Sequence, residues 1–339
     1  MRILITGAGG MLGSAMAPAL ADAGHVVFPT DLRASTAMED CAPIDRTLSR
    51  NGRGAPRTGT PLGHLDVREP TAIDAWLAWT RPDFVVHLAA ETDVDLCEAQ
   101  PAHAFATNAA GTEYVARACR RDGIPLAYVS TAGVFDGEKT EPYTEDDPAI
   151  PINEYGRSKL QGECWTRELV DRSFIVRAGW MVGGGDRDHK FVAKILHQIR
   201  AGARVLHAVD DKWGTPTYAP DFARCFAALL ETEEYGLYHM ACLGSGTRFD
   251  VARAILKVLR SDVELRSVPS EFFREEYPAP RPRSEMMRNA HLDRLGLNTM
   301  RPWESSLEEY LRTAFPQFAC PGERSPDGEP HAGTLGRRV

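Results

Sequence analysis

Lysine is scarce in this sequence of 339 residues. Six of the 39 basic residues are lysines, and none of them precedes Lys139. The 47 acidic residues outnumber the basic ones and give a formal net charge of −8. A general nucleic-acid binder usually carries a basic surface, so this balance argues against nucleic acid as a partner. It does not argue against a small anionic ligand, because a local pocket can be positive on an acidic protein.

Closely spaced cysteines and histidines are also lacking. The seven cysteines are scattered, and no two of them form a Cys-x-x-Cys pair. An odd, scattered set is typical of a reduced cytosolic protein rather than of a disulfide framework or a zinc site. The histidines show no His-x-x-x-His spacing. We therefore expect a cytoplasmic location and no catalytic metal.

Long uninterrupted apolar runs are absent as well. The segment Ile3–Ala21 carries no charge, but four glycines and Pro18 break it. We expect neither a secretion signal nor a membrane partner. The length, with 43% hydrophobic and 25% charged residues, predicts a globular protein with one large domain or two unequal ones.

Short apolar runs alternate with helical patterns through the first half of the chain. The predicted strands are Arg2–Thr6, His25–Thr30, Phe84–Leu88, Leu126–Ser130 and Phe174–Arg177, and the predicted helices are Met11–Ala23, Thr71–Thr80, Ala102–Arg121 and Glu154–Val170. This alternation predicts an α/β fold of the Rossmann type, a doubly wound parallel sheet with helices on both faces.

The second half is less regular. The patterns predict helices over Phe191–Arg200, Asp221–Glu231, Phe249–Leu259 and Ser306–Phe315, a short strand over Leu237–Met240 and an extended loop over Pro278–Pro282. We expect residues 1–177 to form the Rossmann domain, with some later segments returning to it. Residues 178–318 should form mainly a smaller, mixed substrate lobe. The long connection 34–63 should carry a short helix near 38–50, and residues 319–339 should form a disordered tail.

A glycine-rich turn joins the first strand to the first helix. In Thr6-Gly-Ala-Gly-Gly-Met-Leu-Gly13, three glycines are spaced for a tight turn, for close approach to a pyrophosphate and for packing of helix on strand. The N–H groups at the start of the helix would then meet the phosphates. This arrangement predicts NAD(H) or NADP(H) as cofactor.

Acidic residues follow the next two strands. Asp31 ends the second strand, where a carboxylate accepts hydrogen bonds from the adenosine ribose and favours NAD. Arg33 could instead hold the 2′-phosphate of NADP, so the choice between the two cofactors stays open. Asp66 is placed to meet the adenine edge, and a helix cap is the alternative role for it.

Tyr155 and Lys159 lie four residues apart on one helical face. A phenol has an ordinary pKa of about 10, and a neighbouring ammonium should lower that pKa so that the phenol can exchange a proton near neutral pH. Ser130 and Thr131 end the preceding strand, at the sheet edge where open α/β folds bind ligands. A hydroxyl there could hydrogen-bond a reacting oxygen.

These residues carry a family resemblance. The chain resembles the extended short-chain dehydrogenase/reductases, and most closely the dTDP-4-dehydrorhamnose reductase family, in the same order from about residue 1 to 315. The matching segments are Leu4-Ile-Thr-Gly-Ala-Gly-Gly-Met-Leu-Gly13, His87-Leu-Ala-Ala-Glu-Thr-Asp-Val-Asp95, Ser130-Thr-Ala-Gly-Val-Phe-Asp-Gly137, Glu141-Pro-Tyr-Thr-Glu-Asp146, Tyr155-Gly-Arg-Ser-Lys-Leu-Gln-Gly-Glu163, Gly214-Thr-Pro-Thr-Tyr218 and Met300-Arg-Pro-Trp303.

The resemblance implies a reductase of a nucleotide-linked 4-keto-deoxysugar, in which the sugar C4 receives hydride. It assigns the catalytic roles to Thr131, Tyr155 and Lys159, with Tyr155 as proton donor. With the glycine turn, it implies cofactor contacts at Gly7, Gly9, Gly10, Met11, Leu12, Gly13, Asp31, Leu32, Arg33, Asp66, Val67, Leu88, Ala89, Ala90, Thr92, Asn108, Ser130, Tyr155 and Lys159. It implies substrate contacts at Asp95, Ala132, Gly133, Val134, Trp180, Lys190 and Arg281.

One departure keeps other functions open. Members of the family usually carry an acid and an aromatic residue directly after the catalytic threonine, where this chain has Ala132 and Gly133. Epimerases of the same superfamily often carry alanine there, so a nucleotide-sugar epimerase is one alternative. A non-catalytic nucleotide-binding regulatory subunit is another. Assembly as a homodimer is a further expectation from the resemblance.

Overall fold

Short strands run through the whole described part of the computed structural model, which covers residues 1–46 and 62–316. In chain order they are β1 (Arg2–Thr6), β2 (Val26–Asp31), β3 (Gly63–His64), β4 (Phe84–His87), β5 (Leu126–Thr131), β6 (Ser173–Ala178), β7 (Trp180–Val182), β8 (Val205–Val209), β9 (Trp213–Gly214), β10 (Pro216–Tyr218), β11 (Gly236–Met240), β12 (Gly246–Thr247), β13 (Glu264–Val268) and β14 (Ser284–Glu285).

Seven of these strands form one sheet in the order β11–β6–β5–β4–β1–β2–β3, and all neighbours are parallel. The chain builds outward from β1 in one direction and from β4 in the other. The point where the order reverses, between β1 and β4, is where open α/β sheets bind ligands. The predicted Rossmann-type sheet is therefore confirmed.

Helices cover both faces of this sheet. In chain order, the helices of the described residues, including those that pack on the lobe, are α1 (Met11–Asp22), α2 (Pro70–Thr80), α3 (Val94–Ala99), α4 (Pro101–Phe105), α5 (Gly111–Asp122), α6 (Glu154–Leu169), α7 (Phe191–Arg200), α8 (Ala219–Leu230), α9 (Arg248–Leu259), α10 (Ala290–Leu295) and α11 (Trp303–Ala314). Along β1, Ile3 and Ile5 join the core on the α1 and α8 side, whereas Leu4 joins the core under α2 and α5. Alternate side chains point to opposite faces of a strand, so a sheet covered on both faces needs apolar residues throughout.

The remaining strands build a smaller mixed lobe. A three-stranded sheet has the order β12–β9–β14, and β8–β13 and β7–β10 form two parallel pairs. Most of these strands have only two or three residues, which is too short for an alternating pattern to show in the sequence. The predicted strand near Leu237 is β11, which lies beyond residue 177 and yet joins the large sheet beside β6. The domain division at residue 177 stays a prediction.

Two predicted elements differ from the structure. The single helix predicted over 102–121 is α4 and α5 with a π-helical turn, Ala106–Ala110, between them. The helix predicted near 38–50 is a short 3-10 turn, Met38–Asp40, followed by non-helical residues up to 46, and residues 47–50 lie outside the described part. The predicted tail, residues 319–339, also lies outside the described part. Among the described residues, no helix is long and apolar enough to cross a membrane.

A buried ion pair links α6 to the sheet. Both carboxylate oxygens of Glu163 accept hydrogen bonds from Arg177 on β6, at 2.9 and 2.8 Å, and both side chains are almost fully buried. Removing one partner of such a pair leaves a charge buried without compensation, which costs more than the pair itself contributes.

Glu163→Ala should therefore lower the free energy of unfolding by about 3–5 kcal/mol, because Arg177 would stay buried without its carboxylate. Urea denaturation followed by circular dichroism measures this. Glu168→Ala, on the exposed side of the same helix, is the matched control and should change stability by about 0.5 kcal/mol or less. Equal effects of the two variants would contradict the assigned role of the ion pair.

Candidate active site

An open cleft of about 1630 Å³ lies at the carboxyl ends of β1, β4 and β5, between the large sheet and the lobe. Most of the site residues predicted from the sequence line this cleft. They are Gly7, Gly9, Gly10, Met11, Leu12, Gly13, Asp31, Leu32, Arg33, Asp66, Val67, Leu88, Ala89, Ala90, Thr92, Asp95, Ser130, Thr131, Gly133, Tyr155, Lys159, Trp180, Lys190 and Arg281.

The glycine turn after β1 is packed so closely that side chains would not fit. Gly7 has a φ of +70°, and a Cβ there would lie 2.6 Å from the backbone nitrogen of Ala89. A Cβ on Gly13 would lie 2.4 Å from the Cα of Ala8, so α1 packs directly against the turn. No side chain caps the start of α1 at Gly10. Its first N–H groups are therefore available to an anion in the cleft.

Asp31 is held at the end of β2 by two backbone groups. Its carboxylate accepts hydrogen bonds from the N–H of Gly9 at 3.0 Å and from that of Arg33 at 2.9 Å. A Cβ on Gly9 would lie 2.8 Å from this carboxylate, so the glycine makes room for it. The carboxylate thus has a fixed orientation beside the turn that would hold the phosphates.

Asp66 is paired with a neighbouring cation. It accepts a 2.6 Å hydrogen bond from the guanidinium of Arg68, which holds the pKa of Asp66 below its ordinary value. The N-cap residue of α2 is Glu69, so the alternative role of Asp66 as the helix cap is wrong.

The helix α6 touches the turn that follows β5. A Cβ on Gly156 would lie 2.1 Å from the carbonyl oxygen of Gly133, so only a residue without a side chain allows this approach. Asn153 caps the helix by accepting a 2.8 Å hydrogen bond from the N–H of Gly156. This contact holds Tyr155 on α6 beside Thr131 at the end of β5.

Thr131 and Tyr155 both keep a proton to donate. The hydroxyl oxygen of Thr131 accepts a hydrogen bond from the N–H of Gly133 at 3.1 Å, which leaves the hydroxyl proton for another acceptor. Burial raises the pKa of Tyr155 to about 12, with the neighbouring Thr131 hydroxyl acting in the opposite direction. The expected lowering of this pKa by Lys159 is therefore wrong for this structure, because desolvation dominates.

Lys159 is buried behind the tyrosine. Its ammonium donates a 2.8 Å hydrogen bond to the carbonyl of Val129 and lies 4.2 Å from the ring centroid of Tyr128. Burial lowers the pKa of Lys159 to about 7, although the Glu163 carboxylate acts to raise it. Desolvation thus shifts the pKa values of both Tyr155 and Lys159 towards their neutral forms.

Asn108 does not line the cleft, which corrects its prediction as a cofactor contact. It lies fully buried in the π-helical turn, where its amide exchanges hydrogen bonds with the backbone of Glu91 at 2.8 and 3.0 Å. It also donates to the hydroxyl of Ser158 on α6 at 3.0 Å. Asn108 therefore fixes the loop after β4 against the helix that carries Tyr155 and Lys159.

Ala132 and Val134 do not line the cleft either, which corrects their prediction as substrate contacts. Both pack into a small core with Phe135, Tyr143 and Met287. The 3-10 turn after β5 directs these two residues away from the cleft and leaves Gly133 in its lining.

Two predicted substrate residues bind each other. Arg281 donates to both carboxylate oxygens of Asp95, and the N–H of Ala279 donates to the same carboxylate at 3.0 Å. This ion pair connects the first turn of α3 to the extended Pro278–Pro282 segment across the cleft.

Lysines concentrate in the cleft. Four of the six line it, namely Lys159, Lys190, Lys194 and Lys212. Burial, followed by the charge of Arg248, lowers the pKa of Lys190. Ten lysines and arginines line the cleft against eight aspartates and glutamates, a formal excess of two positive charges on a protein with a net charge of −8, and this suits an anionic ligand.

The sequence did not identify two charged residues of the cleft, Arg248 and Glu285. Glu285 accepts a 2.7 Å hydrogen bond from the indole of Trp180, and the guanidinium of Arg248 lies 3.7 Å from the ring centroid of the same residue. Arg248 begins α9 and Glu285 ends β14, and no sequence spacing connects either residue to Trp180.

Comparison with known proteins finds relatives along nearly the whole chain. The family model described as the RmlD substrate binding domain matches residues 1–315. A dTDP-4-dehydrorhamnose reductase of Streptomyces griseus is 34% identical over 314 residues, which are 91% of this chain and 92% of that protein. Two crystal structures of dTDP-4-dehydrorhamnose reductases are also similar. The one from Clostridium acetobutylicum has a TM-score of 0.78 at 31% identity and covers 92% of this chain and 98% of its own. The one from Bacillus anthracis, in complex with NADP, has a TM-score of 0.76 at 29% identity and covers 91% and 98%.

The buried ammonium of Lys159 should make the stability of the ligand-free protein depend on pH. Its pKa is about 7 in the folded protein against an ordinary value of 10.5, so the unfolded chain binds more protons between these pH values. Stability should then rise with pH across this range. Lys159→Met should remove this rise, as measured by urea denaturation at pH 7 to 10.

The matched control is Lys257→Met on the exposed surface of α9, whose stability should follow the wild-type pH dependence. A Lys159→Met curve parallel to the wild-type curve would show that Lys159 titrates normally.

Proposed function

The chain belongs to the family of the RmlD substrate binding domain, and on this basis we propose that it is an NAD(P)H-dependent reductase of a nucleotide-linked 4-keto-deoxysugar. Its substrate would resemble that of the dTDP-4-dehydrorhamnose reductases to which the chain is similar. The observation that carries the proposal is that Thr131, Tyr155 and Lys159 meet in one cleft, beside a glycine turn shaped for phosphates.

The residues present fit a nicotinamide dinucleotide. The glycine turn and the uncapped start of α1 would hold the pyrophosphate, and the oriented carboxylate of Asp31 would accept the ribose hydroxyls. The hydroxyl of Ser130 lies buried at the cleft and has no hydrogen-bond partner among the described residues, as expected of a group that contacts a ligand. When bound, the reduced nicotinamide supplies the hydride.

Thr131 and Tyr155 would act on the carbonyl oxygen of the sugar. The free hydroxyl proton of Thr131 can donate a hydrogen bond to this oxygen and polarise the carbonyl. Tyr155 then transfers its phenolic proton to the developing alkoxide. A pKa of about 12 suits this direction, because it keeps Tyr155 protonated at neutral pH until the oxygen becomes a stronger base.

Lys159 would hold the ribose next to the nicotinamide. One of its three N–H donors binds the carbonyl of Val129, and the others remain for ribose hydroxyls. Asn108 acts as a positioning residue, because it ties the loop after β4 to α6. The cationic side chains Lys190, Lys194 and Lys212 would attract the diphosphate of the substrate.

We also propose assembly as a homodimer and a cytoplasmic location. The family resemblance supports the dimer, and molar mass from light scattering tests it. Among the described residues, Cys97, Cys119, Cys164, Cys225 and Cys242 form no disulfide, which supports a reducing compartment.

Tyr155→Phe should lower kcat for reduction of a dTDP-linked 4-keto-6-deoxysugar by about 100- to 10,000-fold, because the ring stays but its proton is lost. Oxidation of NADPH and NADH at 340 nm measures the rate, and fluorescence titration should show unchanged cofactor binding. Tyr114→Phe, outside the cleft lining, is the matched control and should keep full activity.

Full activity of Tyr155→Phe would contradict the mechanism. Conversion of the nucleotide sugar by the wild type without net cofactor oxidation would instead identify an epimerase, for which tightly bound NAD is expected. Cofactor binding with no turnover on any nucleotide sugar would favour a regulatory subunit.

Asp31→Ala should weaken NADH binding by about 10- to 100-fold, because the ribose loses a charged acceptor. NADPH binding should fall less, since the change also removes a carboxylate that repels the 2′-phosphate. Titrating one variant with both cofactors makes each the control for the other. An equal loss for NADH and NADPH would show that Asp31 merely supports the glycine turn.

A further inference from the structure

A carboxylate from far along the chain lies close to the catalytic threonine. The position that a Cβ on Gly133 would take is 3.4 Å from the hydroxyl oxygen of Thr131 and 3.6 Å from Oε1 of Glu285. Gly133 thus leaves open a space that both polar groups border. The catalytic hydroxyl and the Glu285 carboxylate can therefore contact the same small ligand group.

The lobe fixes Glu285 in this place. In the sheet β12–β9–β14, Glu285 pairs with Gly214, and Gly214 pairs with Gly246 on β12. A Cβ on Gly214 would lie 2.2 Å from the ring of Trp180, so the indole packs directly on the backbone of β9. Arg248, the residue that follows β12, lies over the same ring at 3.7 Å. The three-stranded sheet therefore positions the indole and the carboxylate together.

The two oxygens of Glu285 have different partners. Oε2 accepts the 2.7 Å hydrogen bond from the indole N–H of Trp180. Oε1 accepts no hydrogen bond from any residue in the described part of the chain, and it is the oxygen nearest the space at Gly133. One oxygen thus anchors the side chain, and the other is available to a ligand that donates a proton.

Cationic side chains surround the carboxylate of Glu285. Burial raises the pKa of Glu285, while the Trp180 hydrogen bond and the cations Arg248, Arg281 and Lys212 oppose this effect. No arginine or lysine nitrogen lies within 4.0 Å of its carboxylate among the described residues. The carboxylate therefore has cationic surroundings without an ion pair that would occupy Oε1.

We infer that Glu285 determines specificity by accepting a hydrogen bond from the sugar hydroxyl next to the reacting carbonyl. The inference rests on the proposed function. In a 4-keto-6-deoxyhexose the reacting carbon has two ring neighbours, and C3 is the one that carries a hydroxyl. An oxygen at C4 that contacts Thr131 places the C3 hydroxyl within reach of a group on the other side of the Gly133 space.

Glu285 would also account for the departure in the sequence after Thr131. The acid and the aromatic residue expected there are replaced by Ala132 and Gly133, and Ala132 is buried in the small core. The small residue at 133 opens the space, and β14 supplies the carboxylate from a different part of the chain.

The test compares two substrates, a dTDP-linked 4-keto-6-deoxyhexose with a C3 hydroxyl and its 3-deoxy counterpart. In Glu285→Ala, kcat/KM for the hydroxylated sugar should fall by about 10- to 100-fold, and that for the 3-deoxy sugar by about twofold or less. Glu285→Gln keeps the shape of the side chain and should show the same selective loss with a smaller factor. Glu264→Gln, exposed on β13 of the same lobe, is the matched control and should behave as wild type.

A selective loss on the hydroxylated sugar in both variants would support the inference, because a merely structural role would lower both rates equally. An equal loss on both sugars, or no loss, would overturn it. Should Glu285→Ala fail to fold, Glu285→Gln alone decides between these results. If the wild-type protein oxidises NAD(P)H with neither sugar, the proposed function itself is overturned. If the wild type is active and the variants keep its preference between the two sugars, only the role of Glu285 is overturned.

Discussion

The close contact between α6 and the turn after β5 is the constraint on which the site depends. A side chain at Gly156 would collide with the carbonyl of Gly133, so the helix reaches the turn because that side chain is missing. Tyr155 and Lys159 follow on the same helix, and Thr131 precedes the turn. Asn108 then fastens the loop after β4 to this helix through Ser158. A shift of α6 would move Tyr155 and Lys159 together away from Thr131, because the helix carries both of them.

Burial shifts the pKa values of two titratable groups on α6. Burial raises the pKa of Tyr155 to about 12 and lowers that of Lys159 to about 7. An ammonium next to a phenol was expected to stabilise the phenolate, but in this structure desolvation is the largest effect on the pKa of each group. The consequence agrees with a reductive role, in which the phenol must arrive with its proton. Phenolate stabilisation would matter more for the reverse, oxidative direction.

The sequence was sufficient wherever a function depends on local spacing. The glycine turn, Asp31 at the end of β2, and the pair Tyr155 and Lys159 are set by a few consecutive residues, and all of them line the cleft. The large sheet was predictable for the same reason, because six of its seven strands and most of its helices carry their own pattern, whereas the two-residue β3 does not. Ala132 and Glu285 were not predictable, because the direction of one and the location of the other depend on a 3-10 turn and on the pairing of two-residue strands. Such short elements take their conformation from tertiary packing, which leaves no periodic signal in the chain.

The distribution of lysine and arginine follows from their different chemistry. On the surface, arginine forms forked ion pairs with glutamate, as Arg117 does with Glu113 and Arg312 with Glu308. A guanidinium keeps its charge almost everywhere, whereas an ammonium on a flexible stem loses its proton more readily when buried. Lys159 and Lys190 both have lowered pKa values for this reason. These two lysines line the cleft, where a bound anion would restore their charge. Binding of a phosphate-bearing ligand should then be coupled to proton uptake by Lys159 and Lys190, since an anion nearby raises the pKa of an ammonium.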